Sequence, residues 1–147
     1  MASTAPTPIS VRVARPRILF VDDEPQLLKS LAATLRKQFE VVTAGSAEEA
    51  FAILENDSGF QVVVSDYRMP RKHGGVFLAE VRERFPAIVR ILMSGAGAGG
   101  DLTQDTELVF RFLSKPCARA TLVGAIEESV VRCEVQNQRG MARGIEY

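Results

Sequence analysis

The sequence predicts one α/β domain, a parallel sheet packed between helices. Two observations carry this expectation. Five short apolar runs alternate with amphipathic stretches from Arg17 onward, the pattern of repeated strand–helix units. Four of those runs also end on a polar residue: Asp22, Asp66, Ser94 and Lys115. Right-handed crossovers put the C-terminal ends of parallel strands on one edge, where open sheets of this kind bind ligands. The chain's 147 residues suit one domain with a hydrophobic core.

The elements follow in order. Met1 to Arg15 is rich in Ala, Ser, Thr and Pro and reads as a disordered lead-in over residues 1–15. Arg17–Val21 reads as a buried strand. Pro25–Lys37 reads as a helix with Pro25 in its first turn and Leu28, Leu31 and Leu35 on one face. Glu40–Thr43 is the second strand. Ser46–Glu55 is a helix opened by a capping box, Ser46 with Glu49. Gln61–Ser65 is the third strand. Gly74–Arg84 is a helix with Phe77, Leu78 and Val81 inward, stopped by Pro86, and Val89–Met93 is the fourth strand.

The stretch Gly95-Ala96-Gly97-Ala98-Gly99-Gly100 is a poor helix former, so only Asp101–Leu108 is expected to make a short helix, capped by Asp101. Phe110–Leu113 is the fifth strand. Ala118 to about Gln138 is the last helix, with Leu122, Ala125, Ile126, Val130 and Cys133 inward. Its outward face is mixed polar and can carry a homodimer interface. The tail 139–147 contains two glycines and reads as flexible.

Composition excludes several classes. Formal net charge is zero, so no overall basic field argues for direct nucleic-acid binding. No apolar run approaches the roughly 20 residues needed to span a bilayer, and residues 1–16 lack the apolar core of a secretory signal. Cys117 and Cys133 form no CxxC pair and read as reduced thiols of a cytoplasmic protein.

At the predicted edge, Asp22, Asp23 and Asp66 would bring three carboxylates together. Like charges that close repel unless a cation neutralises them. Mg²⁺ suits such a set, because it takes carboxylates, waters and phosphate oxygens. Asp66 stands alone after its strand and is the better nucleophile toward phosphorus; Asp22 and Asp23 are better placed to chelate. Lys115 and the Ser94 hydroxyl would meet the remaining phosphoryl oxygens. Taken singly, these residues have plainer readings: a helix N-cap for Asp22-Asp23-Glu24, a turn cap for Asp66, a solvated charge for Lys115. Their joint placement at strand ends favours the pocket. His73, in the basic loop Arg71-Lys72-His73, reads as a solvated loop histidine. The Gly-rich stretch lacks the Gly-Lys-Ser/Thr ending of a phosphate-binding P-loop.

Four segments resemble the receiver domain of two-component response regulators. They are Val21-Asp22-Asp23-Glu24-Pro25, Asp66-Tyr67-Arg68-Met69-Pro70 with Gly74, Ser94-Gly95-Ala96, and Phe112-Leu113-Ser114-Lys115-Pro116. Asp23 and Asp66 lie 43 positions apart, and Asp66 and Lys115 lie 49 apart. The resemblance assigns residues 16–138 to a receiver domain. It implies a flavodoxin-like, CheY-like three-layer sandwich with a five-stranded parallel sheet in order 2-1-3-4-5. It implies phosphorylation of Asp66, with Mg²⁺, by a histidine kinase or phosphotransfer protein. Asp22 or Asp23, Asp66 and the Arg68 main-chain carbonyl would hold the metal. Ser94 and Lys115 would read the phosphoryl group, and Phe112 would be the switch aromatic. The Lys115-Pro116 bond would be cis.

Such a chain is a signalling switch with a downstream protein target. It catalyses only its own phosphorylation and dephosphorylation, so it is not an enzyme in the ordinary sense. The alternatives are a phosphorylation-independent docking module, and an aspartate-nucleophile phosphatase. The latter needs an acid two residues after the nucleophile, where this chain has Arg68. A flavodoxin-like cofactor binder is disfavoured because Asp22-Asp23-Glu24 would repel phosphate without a metal.

Overall fold

The structure is a computed structural model that describes residues 15–95 and 107–145, with side chains to residue 138. Five strands form one sheet: β1 (Arg17–Val21), β2 (Glu40–Ala44), β3 (Phe60–Asp66), β4 (Val89–Ser94) and β5 (Arg111–Ser114). All neighbouring pairs are parallel and the order is β2-β1-β3-β4-β5, as the resemblance implies. The described helices are α1 (Pro25–Leu35), α2 (Ala47–Asn56), α3 (Gly74–Arg84) and α4 (Arg119–Ile145).

Side chains alternate across each strand, so each strand feeds two cores. Leu19, Val21, Val63 and Leu92 pack with Phe51 and Leu54 of α2 and with Phe77, Leu78 and Val81 of α3. Ile18, Phe20, Val62, Val64, Ile91 and Met93 pack with Leu28 and Leu35 of α1 and with Leu122 and Ile126 of α4. Burial on both faces explains why the strands read as continuous apolar runs. Leu31 is only half-buried, at the margin of the second core.

Three helix ends differ from expectation. Glu24 is the N-cap of α1 but makes no side-chain cap bond. Asp22 Oδ1 instead accepts from Glu24 N–H at 2.9 Å, so the acidic run is not a helix cap of the ordinary kind. Ser46 Oγ accepts from Glu49 N–H at 3.1 Å as predicted. The returning Glu49 carboxylate takes the N–H of Gly45, at 2.7 Å. His73 is exposed, but it is not merely solvated. Its Nδ1 accepts from the N–H groups of Gly75 and Val76, at 3.2 and 3.4 Å, and caps α3. An imidazole lone pair thus does the work usually given to a Ser or Asp oxygen.

The last helix also departs from expectation at its far end. Its backbone stays helical to Ile145, through Gly140 and Gly144, where a flexible tail was expected from residue 139. Each glycine costs a helix about 1 kcal/mol. Met141, Ala142 and Arg143 are good helix formers, and propagation from an existing helix avoids the nucleation cost. Residues 1–14 and 96–106 lie outside the described residues. The expected lead-in and most of the expected Asp101–Leu108 helix fall there. No described helix is long and apolar enough to cross a membrane.

Arg17 fastens the edge of the sheet opposite the polar strand ends. Its guanidinium donates to Asp57 at 2.7 Å, to Glu40 at 3.1 Å and to the Ser58 carbonyl at 2.9 Å, and lies 4.3 Å from the Phe60 ring centre. The hydrogen bond from Arg17 holds the Asp57 carboxyl below the usual carboxylate range. A lowered carboxyl stabilises the fold above its unfolded pKa, and loses that contribution as pH falls through the lowered value. Arg17→Ala is therefore expected to reduce Tm by about 2–4 °C at neutral pH. In thermal melts against pH, the gap to the wild type should narrow in acid; a gap independent of pH would assign the loss to packing on Phe60.

Candidate functional site

Strand register builds the site. Val21 pairs with Ala44 on one side and Ser65 on the other, so Asp22 and Asp66 leave adjacent strands at the same level. Asp66 is opposite Met93, and Ser94 is opposite Ser114. Lys115 N–H donates to the Ser94 carbonyl at 2.8 Å. The four predicted polar ends therefore share one edge, centred where the strand order reverses between β1 and β3.

Asp22 and Asp66 are buried and Asp23 is exposed. Each offers one carboxylate oxygen within 4.8 Å of the others. Lys115 Nζ lies 3.0 Å from Asp22 Oδ2 and 3.2 Å from Asp66 Oδ1, with Glu24 Oε1 further off at 3.9 Å. The bond from Lys115 to Pro116 is cis, as the resemblance implies. Burial pushes the Asp66 carboxyl above the usual range, and the charge on Asp22 adds to this; Lys115 opposes the shift without cancelling it. Burial alone would lower the Lys115 ammonium. Its hydrogen bond to Asp22 and the two carboxylate charges outweigh that and hold it above its ordinary value.

Negative charge predominates here. Among the described residues, one ammonium stands against two buried carboxylates and a third beside them, and the clustered donors are all oxygen. Such a set fits a small hard dication better than a transition metal. A groove of about 390 Å³ opens beside Asp22 and Asp23, bordered by Lys29, Thr43 and Glu49. A second groove, of about 470 Å³, runs past Lys115 between Leu27 and Leu31 of α1 and Met93, Pro116 and Leu122.

The other predicted residues are placed less directly. Arg68 is exposed in the loop after β3. Ser94 ends β4, half-buried. Phe112 lies opposite Leu92 in the β4–β5 register and is half-buried against the first core.

Three contributors were missed in the sequence. Glu24 stands near Lys115. Ser65 is fully buried, and its hydroxyl donates to the Asp66 carbonyl at 3.0 Å; a hydroxyl at the end of Val62-Val63-Val64 was the available signal. Gly74 stands out in the sequence only as part of the matched motif. A Cβ there would lie 2.2 Å from the Asp66 carbonyl oxygen, and a glycine pair opening a helix was the hint.

Comparison with known proteins agrees with this geometry. The sequence profile of the response regulator receiver domain matches residues 18–127. The hydrogenase transcriptional regulatory protein HoxA of Cupriavidus necator is 36% identical over 125 residues, covering 84% of this chain and 25% of HoxA. The response regulator Rre1 of Synechocystis is 31% identical, over 84% of this chain and 55% of Rre1. The chain thus spans between a quarter and about half the length of these relatives. Among solved structures, a receiver domain protein of Clostridium thermocellum superposes with a TM-score of 0.77 at 28% identity, covering 82% of this chain and 98% of that one. A structure described as adenylate cyclase from Rhodopirellula baltica gives 0.81 at 32%, covering 88% and 98%. With five parallel strands in the order 2-1-3-4-5 and the acidic edge between β1 and β3, the chain belongs to the response regulator receiver domain family of two-component systems.

Proposed function

We propose that this chain is a phosphoryl-accepting switch, with Asp66 as the acceptor. The observation that carries the reading is the contact of Lys115 Nζ with both Asp22 and Asp66 at the switch point of the sheet. The donor is a phosphohistidine on a kinase or phosphotransfer protein. One Asp66 carboxylate oxygen forms the new P–O bond while the P–N bond to the donor imidazole breaks. The imidazole nitrogen keeps the electron pair and takes up a proton.

Asp22, Asp23, Asp66 and the main-chain carbonyl of Arg68 would hold Mg²⁺. Bound there, the ion supplies positive charge against the carboxylates and the phosphoryl oxygens. Lys115 is within reach of a phosphoryl group on Asp66 and can exchange a carboxylate contact for a phosphoryl oxygen. Ser94, beside Lys115 on the same edge, is the hydroxyl that would donate to another.

Phosphorylation adds about −1.5 to −2 charges at pH 7. Movement of Ser94 toward that charge would free space for Phe112, whose ring can gain only burial, having no hydroxyl. A downstream protein would read the change, in the cytoplasm. In this reading the chain catalyses only its own phosphorylation and dephosphorylation.

The test is direct. With Mg²⁺ and acetyl phosphate, intact mass should show one acid-labile phosphoryl group per chain, and peptide mapping should place it on Asp66. Chelation by EDTA should lower its formation at least tenfold. No adduct under these conditions would favour a docking module that works without phosphorylation.

A further inference from the structure

The Asp66 main-chain carbonyl is gripped from two sides, by a hydroxyl and by a glycine backbone. The Ser65 hydroxyl donates to it at 3.0 Å. Gly74 abuts it so closely that a Cβ there would stand 2.2 Å from the oxygen and 3.0 Å from the carbonyl carbon. The N–H of the same peptide and the carbonyl of the next are held as well: Tyr67 N–H donates to the Met93 carbonyl, and the Tyr67 carbonyl accepts from Gly74 N–H, both at 2.7 Å. The Asp66–Tyr67 segment is therefore tied to β4 and to the start of α3. Ser65 is fully buried beneath it.

We propose that Ser65 is a positioning residue for phosphorylation, its hydroxyl fixing the Asp66 peptide so that the carboxylate faces Lys115. This rests on the reading of Asp66 as the acceptor. A hydroxyl at this place is otherwise hard to explain. The residue ends an apolar run, is 0% exposed, and a buried hydroxyl without a partner would be destabilising. An alanine or valine would fill the place with no polar group to satisfy. The bond also acts at a useful point. The peptide after Asp66 sets the orientation of its Cα–Cβ bond, and a displacement of about 1 Å at a reacting group can cost up to 10²-fold in rate. Gly74 leaves the carbonyl no room to move toward α3. Without the Ser65 bond, the carbonyl end loses its tether, and the peptide can tilt about its remaining Tyr67 N–H bond to Met93, away from that wall.

The experiment compares Ser65→Ala, Ser65→Thr and Ser65→Val in the 147-residue chain. Phosphorylation rate constants are measured at saturating Mg²⁺ and acetyl phosphate, well below each variant's Tm, with Tm determined alongside. Thr and Val have the same shape and differ in the hydroxyl alone, so any strain from the added branch is common to both. Ala and Val are expected to be phosphorylated about five- to tenfold more slowly than wild type, with Thr clearly faster than Val. A purely structural role would lower Tm and leave the rate of the folded protein unchanged. Ala at the wild-type rate, or Thr no faster than Val, overturns the inference. Failure of the wild type itself to form the adduct overturns the acceptor reading beneath it, so the two failures are distinct.

Discussion

Asp66→Asn is expected to abolish the phosphoryl adduct and, without metal at neutral pH, to give a protein that melts a few degrees above the wild type. The first effect follows from the acceptor role, because an amide lacks the anionic oxygen that attacks phosphorus. The second follows from the environment of the carboxyl. Asp66 is buried and faces Asp22, and both conditions disfavour its charged form. A carboxyl raised in the folded state stabilises the fold below its ordinary pKa, and that contribution is lost as pH rises through the folded value. At neutral pH the ionised wild type carries the unfavourable charge, and asparagine removes it at nearly constant shape. Lys115 retains Asp22, 3.0 Å away in the wild type, as a carboxylate partner.

Melting curves at several pH values check this. The advantage of the variant should be largest near neutrality and shrink in acid, where wild-type Asp66 is protonated. Saturating Mg²⁺ should also shrink it by stabilising the wild type. A variant less stable than wild type at neutral pH would mean that the Lys115–Asp66 pair outweighs burial and repulsion. An adduct retained by the variant would remove Asp66 from its assigned role.

Gly74→Ala is the substitution expected to damage the fold most while touching no charged group. The new methyl would meet the Asp66 carbonyl oxygen at 2.2 Å, with the Asp66 carbonyl carbon and Leu92 Cδ1 each at 3.0 Å. The first two are backbone atoms of the central strand, which cannot swing aside as a side chain can. Overpacking of this kind costs about 1–3 kcal/mol and occasionally more. A loss near the upper end, about 3 kcal/mol, is expected in urea denaturation. Phosphorylation of the surviving folded protein should fall at least tenfold, because the displaced atoms belong to the acceptor residue.

Gly124→Ala supplies the control. A Cβ at Gly124, within α4, would meet nothing within 4 Å. The same change should there be neutral or stabilising by about 0.5–1 kcal/mol. Equal losses at both positions would attribute the Gly74 effect to helix context and not to contact with Asp66.

The sheet was legible because both of its faces are buried. Double burial makes each strand an apolar run, and the helices between them carry the 3.6-residue period through residues such as Phe77, Leu78 and Val81. The carboxylates and Lys115 were legible for a related reason: each lies within two residues of the end of such a run. Asp22, Asp66 and Lys115 required only that the strands be parallel. Helix ends were less legible. The cap of α3 is a histidine nitrogen, outside the usual set of cap residues, and the reach of α4 to Ile145 set two glycines against good helix formers around them.

What the sequence determined by itself was the fold class, the residues at the strand ends and the chemistry they can perform together, because these depend on local periodicity and on side-chain type. Tertiary structure decided how those groups are held. Lys115 reaches a carboxylate 93 positions away, and the wall behind Asp66 is a glycine from the next helix. A hydroxyl from the strand interior ties the acceptor's own peptide. Such contacts depend on register and on tenths of an ångström between backbones, and neither quantity is written in the order of residue types.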